Sequence, residues 1–141
     1  MNRFPKKFLL RSRGIDVKIL LDTHVYLWWC EDSPKMSHKA RKLIEDAGVV
    51  YVSSVSLWEL AIKMGIGKFE GNLVDLAATI IASGFEPLPI TIEHTLALPE
   101  LANHHRDPFD RMLVAQAVSE PLHLITHDST LALYTPLVIQ V

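Results

Sequence analysis

Four acidic residues are placed so that a folded chain could bring them together: Asp22, Glu59, Asp110 and Asp128. Asp22 ends the apolar run Val17-Lys18-Ile19-Leu20-Leu21, and Asp128 follows Leu122-His123-Leu124-Ile125-Thr126 by two residues. Both runs read as buried strands. In open α/β sheets, function gathers at the carboxyl ends of strands, which puts these two acids on one edge. Glu59, in Ser56-Leu57-Trp58-Glu59-Leu60, and Asp110, in Asp107-Pro108-Phe109-Asp110-Arg111, fall on predicted helices that could lean over that edge. Clustered carboxylates repel one another and call for a cation. Oxygen donors alone suit Mg²⁺ or Mn²⁺. Such an ion lowers the pKa of water and stabilises charge on a phosphate.

Each acid also has an ordinary explanation. Asp22 could cap a helix beginning at Thr23. Glu59 precedes Lys63 by four residues, the favourable orientation for a helical surface pair of about 0.2–0.5 kcal/mol. Asp107 at N-cap, Pro108 at N1 and Asp110 at N3 make a sound helix start, and for Asp107 the cap is the preferred reading. Asp128 could cap the turn Ser129-Thr130-Leu131. One cluster accounts for Asp22, Glu59, Asp110 and Asp128 together.

The elements that must position these residues alternate along the chain. Strands are predicted over 17–21, 49–52, 85–88, 122–126 and 137–139. Helices are predicted over 23–29, 37–47, 54–64, 72–83, 91–98 and 107–119, punctuated by Gly48, Gly65, Gly84 and Pro99. Pro87 marks the third strand as a sheet edge. The strand cores are nearly continuous apolar runs, which predicts a parallel sheet with helices on both faces. At helical spacing, Trp58 is expected in the core with Val55 and Ile62. Trp28 and Trp29 must point in different directions, one to the core and one to a partner surface.

A net charge of −2 on 141 residues argues against a uniformly basic nucleic-acid binder. The charge is uneven, however. Residues 1–16 carry five bases and one acid, a net +4, leaving nine bases and fifteen acids, a net −6, on the rest. Residues 1–16 are read as a basic, flexible arm or an extension from an upstream start, with Val17 as an alternative beginning. Residues 17–141 are read as one domain. Arg11 and Arg13 cut short the apolar Phe8-Leu9-Leu10, against a signal peptide. No run approaches the roughly 20 apolar residues of a membrane span. Cys30 is the single cysteine, so no intrachain disulfide forms and a reducing, cytoplasmic setting is expected.

The ordered motifs Ile19-Leu20-Leu21-Asp22-Thr23-His24, Ser53-Ser54-Val55-Ser56-Leu57-Trp58-Glu59 with Lys63, His105-Arg106-Asp107-Pro108-Phe109-Asp110-Arg111-Met112-Leu113-Val114-Ala115-Gln116-Ala117 and Leu124-Ile125-Thr126-His127-Asp128 resemble PIN-domain nucleases. More specifically, they resemble VapC-like ribonuclease toxins of bacterial toxin–antitoxin pairs. Each motif alone is weak; the set in this order is specific, and it covers the chain from about residue 17. The resemblance implies an α/β/α sandwich with a five-stranded parallel sheet in the order 3-2-1-4-5. It implies metal-dependent hydrolysis of RNA by in-line attack, leaving a 5′-phosphate and a 3′-hydroxyl. Asp22, Asp110 and Asp128 would hold Mg²⁺ or Mn²⁺, and Glu59 would hold metal or orient the attacking water. Thr126 matches the hydroxyl residue beside the fourth acid, and Asp107 belongs to the subfamily motif. Arg111, Arg106 and Lys63 are candidate phosphate contacts. An antitoxin protein and a second copy of the chain are the partners implied, with no membrane association.

Other readings are weaker. His24, His104, His105 and His127 invite a zinc site, but no HxxxH helix or His/Cys spacing is present to support one. An Asp-nucleophile phosphohydrolase would want a second Asp where His24 stands. A PIN-like binding module without activity would not need the intact acidic set. No Gly-rich loop follows the first strand, against a dinucleotide-binding fold.

Overall fold

In a computed structural model, which describes residues 17–141, the predicted strands form one parallel sheet. The basic arm proposed for 1–16 lies outside the described residues. Strands β1 (Lys18–Leu21), β2 (Val49–Ser53), β3 (Glu86–Leu88), β4 (His123–Thr126) and β5 (Val138–Gln140) pair in the order 3-2-1-4-5. Helices α1 (Thr23–Glu31), α2 (His38–Asp46), α3 (Ser54–Gly65), α4 (Leu73–Ala82), α5 (Ile92–Ala97) and α6 (Pro108–Ser119) connect them, with 3₁₀ turns at Leu98–Glu100 and Ser129–Leu133.

Alternation along β1 generates the layers. Ile19 and Leu21 pack with Val25, Tyr26 and Trp29 of α1, Ile44 of α2 and Ile80 of α4. Leu20 points the other way, toward Leu113, Val114 and Ala117 of α6. Both faces of the central strands are covered, which is why their sequences show no polar alternation. Pro87, which has no N–H to donate, sits in edge strand β3, as predicted.

The caps are local and legible. Asp22, Ser37, Ser53, Asn72, Thr91 and Asp107 each accept a backbone N–H in the first turn of the helix that follows. Trp29 is buried and its indole N–H donates to Ser83 Oγ at 3.0 Å, whereas Trp28 is half-buried. Trp58 overturns its expected core placement: it is 53% exposed, and Ile62 is 41% exposed. The buried arc of α3 runs through Val55, Ser56, Glu59 and Leu60. Turning Glu59 inward rotates Trp58 to the outside.

Leu20 lies fully buried between β2, β4 and α6. Leu20→Ala is expected to cost about 2–5 kcal/mol in denaturant unfolding, the usual range for a cavity of that size.

Candidate active site

Strand pairing decides where the first acid sits. Leu21 lies opposite Ile125 across β1 and β4, and the Asp22 N–H extends the ladder onto the Ile125 carbonyl at 3.0 Å. This is the switch point of the sheet, where connections leave β1 and β4 in opposite directions. The buried Thr126 hydroxyl donates to Asp22 Oδ2 and accepts the Asp128 N–H at 3.0 Å. Asp22 Oδ1 accepts the Val25 N–H at 2.8 Å, so the cap of α1 and the site acid are one carboxylate. Asp22 is only 5% exposed. Burial raises its pKa above the ordinary carboxylate value, and the hydrogen bonds from Thr126 and Val25 only partly oppose it.

Asp110 stands in the first turn of α6. Asp107 caps that helix, accepting the N–H groups of Phe109 at 2.8 Å and Asp110 at 3.3 Å. Burial, followed by the negative charges of Asp107 and Glu59, pushes the Asp110 pKa up to about 7. Asp128 caps the 3₁₀ turn after β4, accepting the Thr130 N–H at 2.9 Å. Burial works upward there too, but hydrogen bonds from Thr130 and His105 outweigh it, and the pKa falls below the ordinary value.

His105 joins these acids. Its Nδ1 accepts the Asp107 N–H at 3.0 Å, so the ring proton sits on Nε2. That Nε2 lies 3.1 Å from Asp128 Oδ2 and 3.5 Å from Asp110 Oδ2. To ligate a metal through Nε2, the ring would have to give up the Asp107 N–H. The His105 backbone N–H donates to Tyr134 Oη at 2.8 Å. Arg111 donates to the same oxygen at 3.0 Å and to the Ala102 carbonyl at 2.9 Å. Arg111 therefore braces the loop that carries His105.

Glu59 is set apart. It is 4% exposed, with Oε1 accepting the Thr23 hydroxyl at 2.8 Å and Oε2 paired with Lys63 Nζ at 2.8 Å. Thr23 Oγ1 also reaches Ser56 Oγ at 2.9 Å. Glu59 raises the pKa of both Asp22 and Asp110. A cleft of about 380 Å³ opens over Asp22, Asp110 and Asp128, with His24, Trp28 and His127 completing its lining. Three of the four expected acids meet there, while Glu59 lies behind them. Donor atoms of His105, Asp110 and Asp128 all lie within 4.8 Å of one another, a spacing one cation could bridge.

A family model for the PIN domain matches residues 19–135. The chain belongs to the PIN domain family. Ribonuclease VapC22 of Mycobacterium tuberculosis is 31% identical over 120 residues, covering 80% of this chain and 88% of that protein. VapBC2 from Rickettsia felis, solved bound to a promoter DNA fragment, shares the fold at a TM-score of 0.63 and 18% identity, covering 89% of this chain and 98% of that one. A toxin–antitoxin complex from Klebsiella pneumoniae matches at a TM-score of 0.59 and 16% identity, covering 86% and 96% of the two chains.

His105 entered the sequence reading of this PIN domain only within a disfavoured zinc site, and its bond to Asp128 was missed, because no ligand spacing marks it. The available signal was its place two residues before the capping Asp107, close enough for the ring to fold back onto the Asp107 N–H. Thr23 and Ser56 were also missed. Thr23 directly follows the first acid, and Ser56 lies one helical turn before Glu59.

The raised carboxylates give the fold a pH dependence. Between about pH 4 and pH 7 the folded chain holds a proton on Asp110 that the unfolded chain, with a pKa of about 3.9, has released. Stability therefore falls as pH rises through that window. The lowered Asp128 acts in the opposite sense, but below the unfolded value. Without divalent ions, the melting temperature is expected to drop from pH 5 to pH 8. Asp110→Asn should shrink that drop and melt higher than the wild type at pH 8, as read by circular dichroism.

Proposed function

We propose that this PIN domain is a metal-dependent endoribonuclease and the toxin of a toxin–antitoxin pair. One observation carries the reading: Asp22, Asp110 and Asp128 converge on one cleft at the sheet's switch point, with Asp110 held up to about 7. Likeness to a ribonuclease over most of the chain supports it. The donor set fits a hard divalent ion, since the acids supply oxygen ligands and their mutual repulsion is what a cation relieves. Asp22, Asp110 and Asp128 would hold Mg²⁺ or Mn²⁺, which when bound supplies an activated water and charge stabilisation on the phosphate.

The chain's own side chains prepare that chemistry. Thr126 and the Val25 N–H lock the Asp22 carboxylate in one orientation. The Nε2–H of His105 does the same for Asp128. Glu59, held by Thr23 and Lys63, adds negative charge behind the pocket. It acts electrostatically on Asp22 and Asp110. Lys63 and Arg111 are committed to protein groups, which leaves the exposed Arg106 as the freest of the three cations for an RNA phosphate.

The partner reading rests on the toxin–antitoxin description of the Klebsiella complex and on exposed apolar side chains. Val74 and Ile81 on α4, and Trp58 and Ile62 on α3 with Ile66 just past its end, are surfaces a protein partner would cover. An antitoxin and a second copy of the chain are the partners proposed. Among the described residues no helix is long and apolar enough to cross a membrane, and a cytoplasmic location is proposed with the rest.

Cleavage of single-stranded RNA by the full chain is expected in Mg²⁺ or Mn²⁺ and lost in excess chelator. Asp22→Asn, Asp110→Asn and Asp128→Asn should each reduce the rate more than about 100-fold, while Glu59→Gln costs about 10–100-fold, as for groups that support ligands. Undiminished cleavage in chelator, or in both Asp22→Asn and Asp110→Asn, would overturn the reading. As a second check, Mn²⁺ should raise the melting temperature of the wild type at pH 8 and leave Asp110→Asn nearly unmoved.

A further inference from the structure

The cleft has two unlike sides. Asp22, Asp110 and Asp128 supply carboxylates, while His24, Trp28 and His127 supply only rings. We propose that this ring wall is a nucleobase subsite that seats an unpaired base of the RNA beside the phosphate to be cut. The inference rests on the ribonuclease reading for its ligand and on the geometry of the wall for its place.

The rings form one connected group. His24 and Trp28 are four residues apart on α1, with centroids 6.4 Å apart and planes tilted by 49°. Trp28 meets His127 edge to face, at 5.5 Å and 71°. His127 Nδ1 lies 3.0 Å from the Val141 carbonyl, an acceptor only, so this nitrogen carries the proton and the bond fixes the ring. Trp28 is half-buried, with part of its indole packed against the core. Such a ring loses little freedom when a base stacks on it.

The same elements carry both sides of the cleft. α1 bears Asp22 at its cap and then His24 and Trp28; the end of β4 leads to His127 and Asp128. A base on the wall is thereby held at a set distance from the acids. The volume of about 380 Å³ lies at the lower end of the usual range for small-ligand sites. The acidic side repels a polyanion until a cation is bound. Stacking does not depend on charge, so the ring side can contribute affinity that the carboxylates withhold. A paired base has both faces covered by its duplex neighbours, so the wall selects single strands.

Trp58 is the more exposed indole, but it does not line the cleft. It packs edge to face on Phe109 at 4.9 Å and continues into exposed Ile62 on α3 and Ile66 just past its end. That stripe suits a protein surface better than a nucleotide.

The test uses the full chain in Mg²⁺ buffer with a dye-labelled single-stranded RNA and a set of the same RNA with one base removed at each position. Affinity is read by fluorescence anisotropy and cleavage by gel. Trp28→Ala should weaken binding about fivefold to a hundredfold, as stacking energies of about 1–3 kcal/mol per base convert. Trp28→Phe should stay within a few-fold of wild type. Removing the base at one position beside the cut should weaken wild-type binding and have no further effect on Trp28→Ala. Should that variant fail to melt cooperatively, Trp28→Leu, which keeps apolar volume without a π-face, takes its place. Unchanged binding in the variant, or equal sensitivity to base removal in variant and wild type, overturns the subsite. Absence of cleavage in every protein overturns the ribonuclease reading instead, and the anisotropy data still judge the wall.

Discussion

The Thr126 hydroxyl ties together the ends of β1 and β4, donating to Asp22 and accepting from the backbone of Asp128. The rest of the site depends on this bridge. A parallel pair diverges beyond its last ladder bond, because the connections from the two strands leave in opposite directions. A hydroxyl at that point has one donor and two acceptor sites, enough to bind both sides of the gap. Valine in its place would leave the Asp22 carboxylate buried without one of its two partners, an unfavourable position for an ionised group. The strand that supplies Thr126 is also the strand that leads to Asp128. One backbone register thus sets the distance between two of the acids.

Gathering acids has an electrostatic cost, and the structure distributes it unevenly. Asp128, on the rim, is ionised readily because Thr130 and His105 donate to it. Asp110, with no comparable donor to its carboxylate, is pushed up to about 7 by burial and by the charges of Asp107 and Glu59. Asp22 is the most buried of the three and is held by two hydrogen bonds. Glu59 has its own cation in Lys63. The carboxyl groups most accessible to an incoming ion are therefore those of Asp110 and Asp128, on the open side of the cleft, with Asp128 the more readily charged of the two.

The fold was legible in the chain because its signals are local and repeated. Continuous apolar runs marked the strands, Ser37, Asn72 and Asp107 marked helix starts, and Pro87 marked the edge. The acids at strand ends were legible for the same reason: a strand end is a position in sequence as well as in space. Trp58 was misplaced because helical periodicity locates a buried arc only to within about one residue. Here a buried acid, which hydrophobic patterning cannot anticipate, displaced the aromatic from that arc. The bracing role of Arg111 was out of reach for another reason. It acts through Tyr134, more than twenty residues away, across a contact that no local spacing encodes.

Several residues here carry a structural bond and belong to the proposed site at once. Asp22, Asp107 and Asp128 each cap a helix or 3₁₀ turn, and each cap lies at or beside the cleft. The ordinary reading and the functional one are therefore not rivals. A helix N-terminus presents free N–H groups that fix a carboxylate oxygen, and a second oxygen remains for other work. Capping is the means by which this chain holds these acids in place, whether buried as Asp22 is or on the rim as Asp128 is. The uneven charge along the sequence follows from the same arrangement. The acidic surplus of the body includes the caps at the cleft, so a net charge of −2 does not exclude a polyanionic substrate. Under the proposed function it makes handling one conditional on a cation at the acids, with the proposed ring wall opposite supplying the remaining attraction.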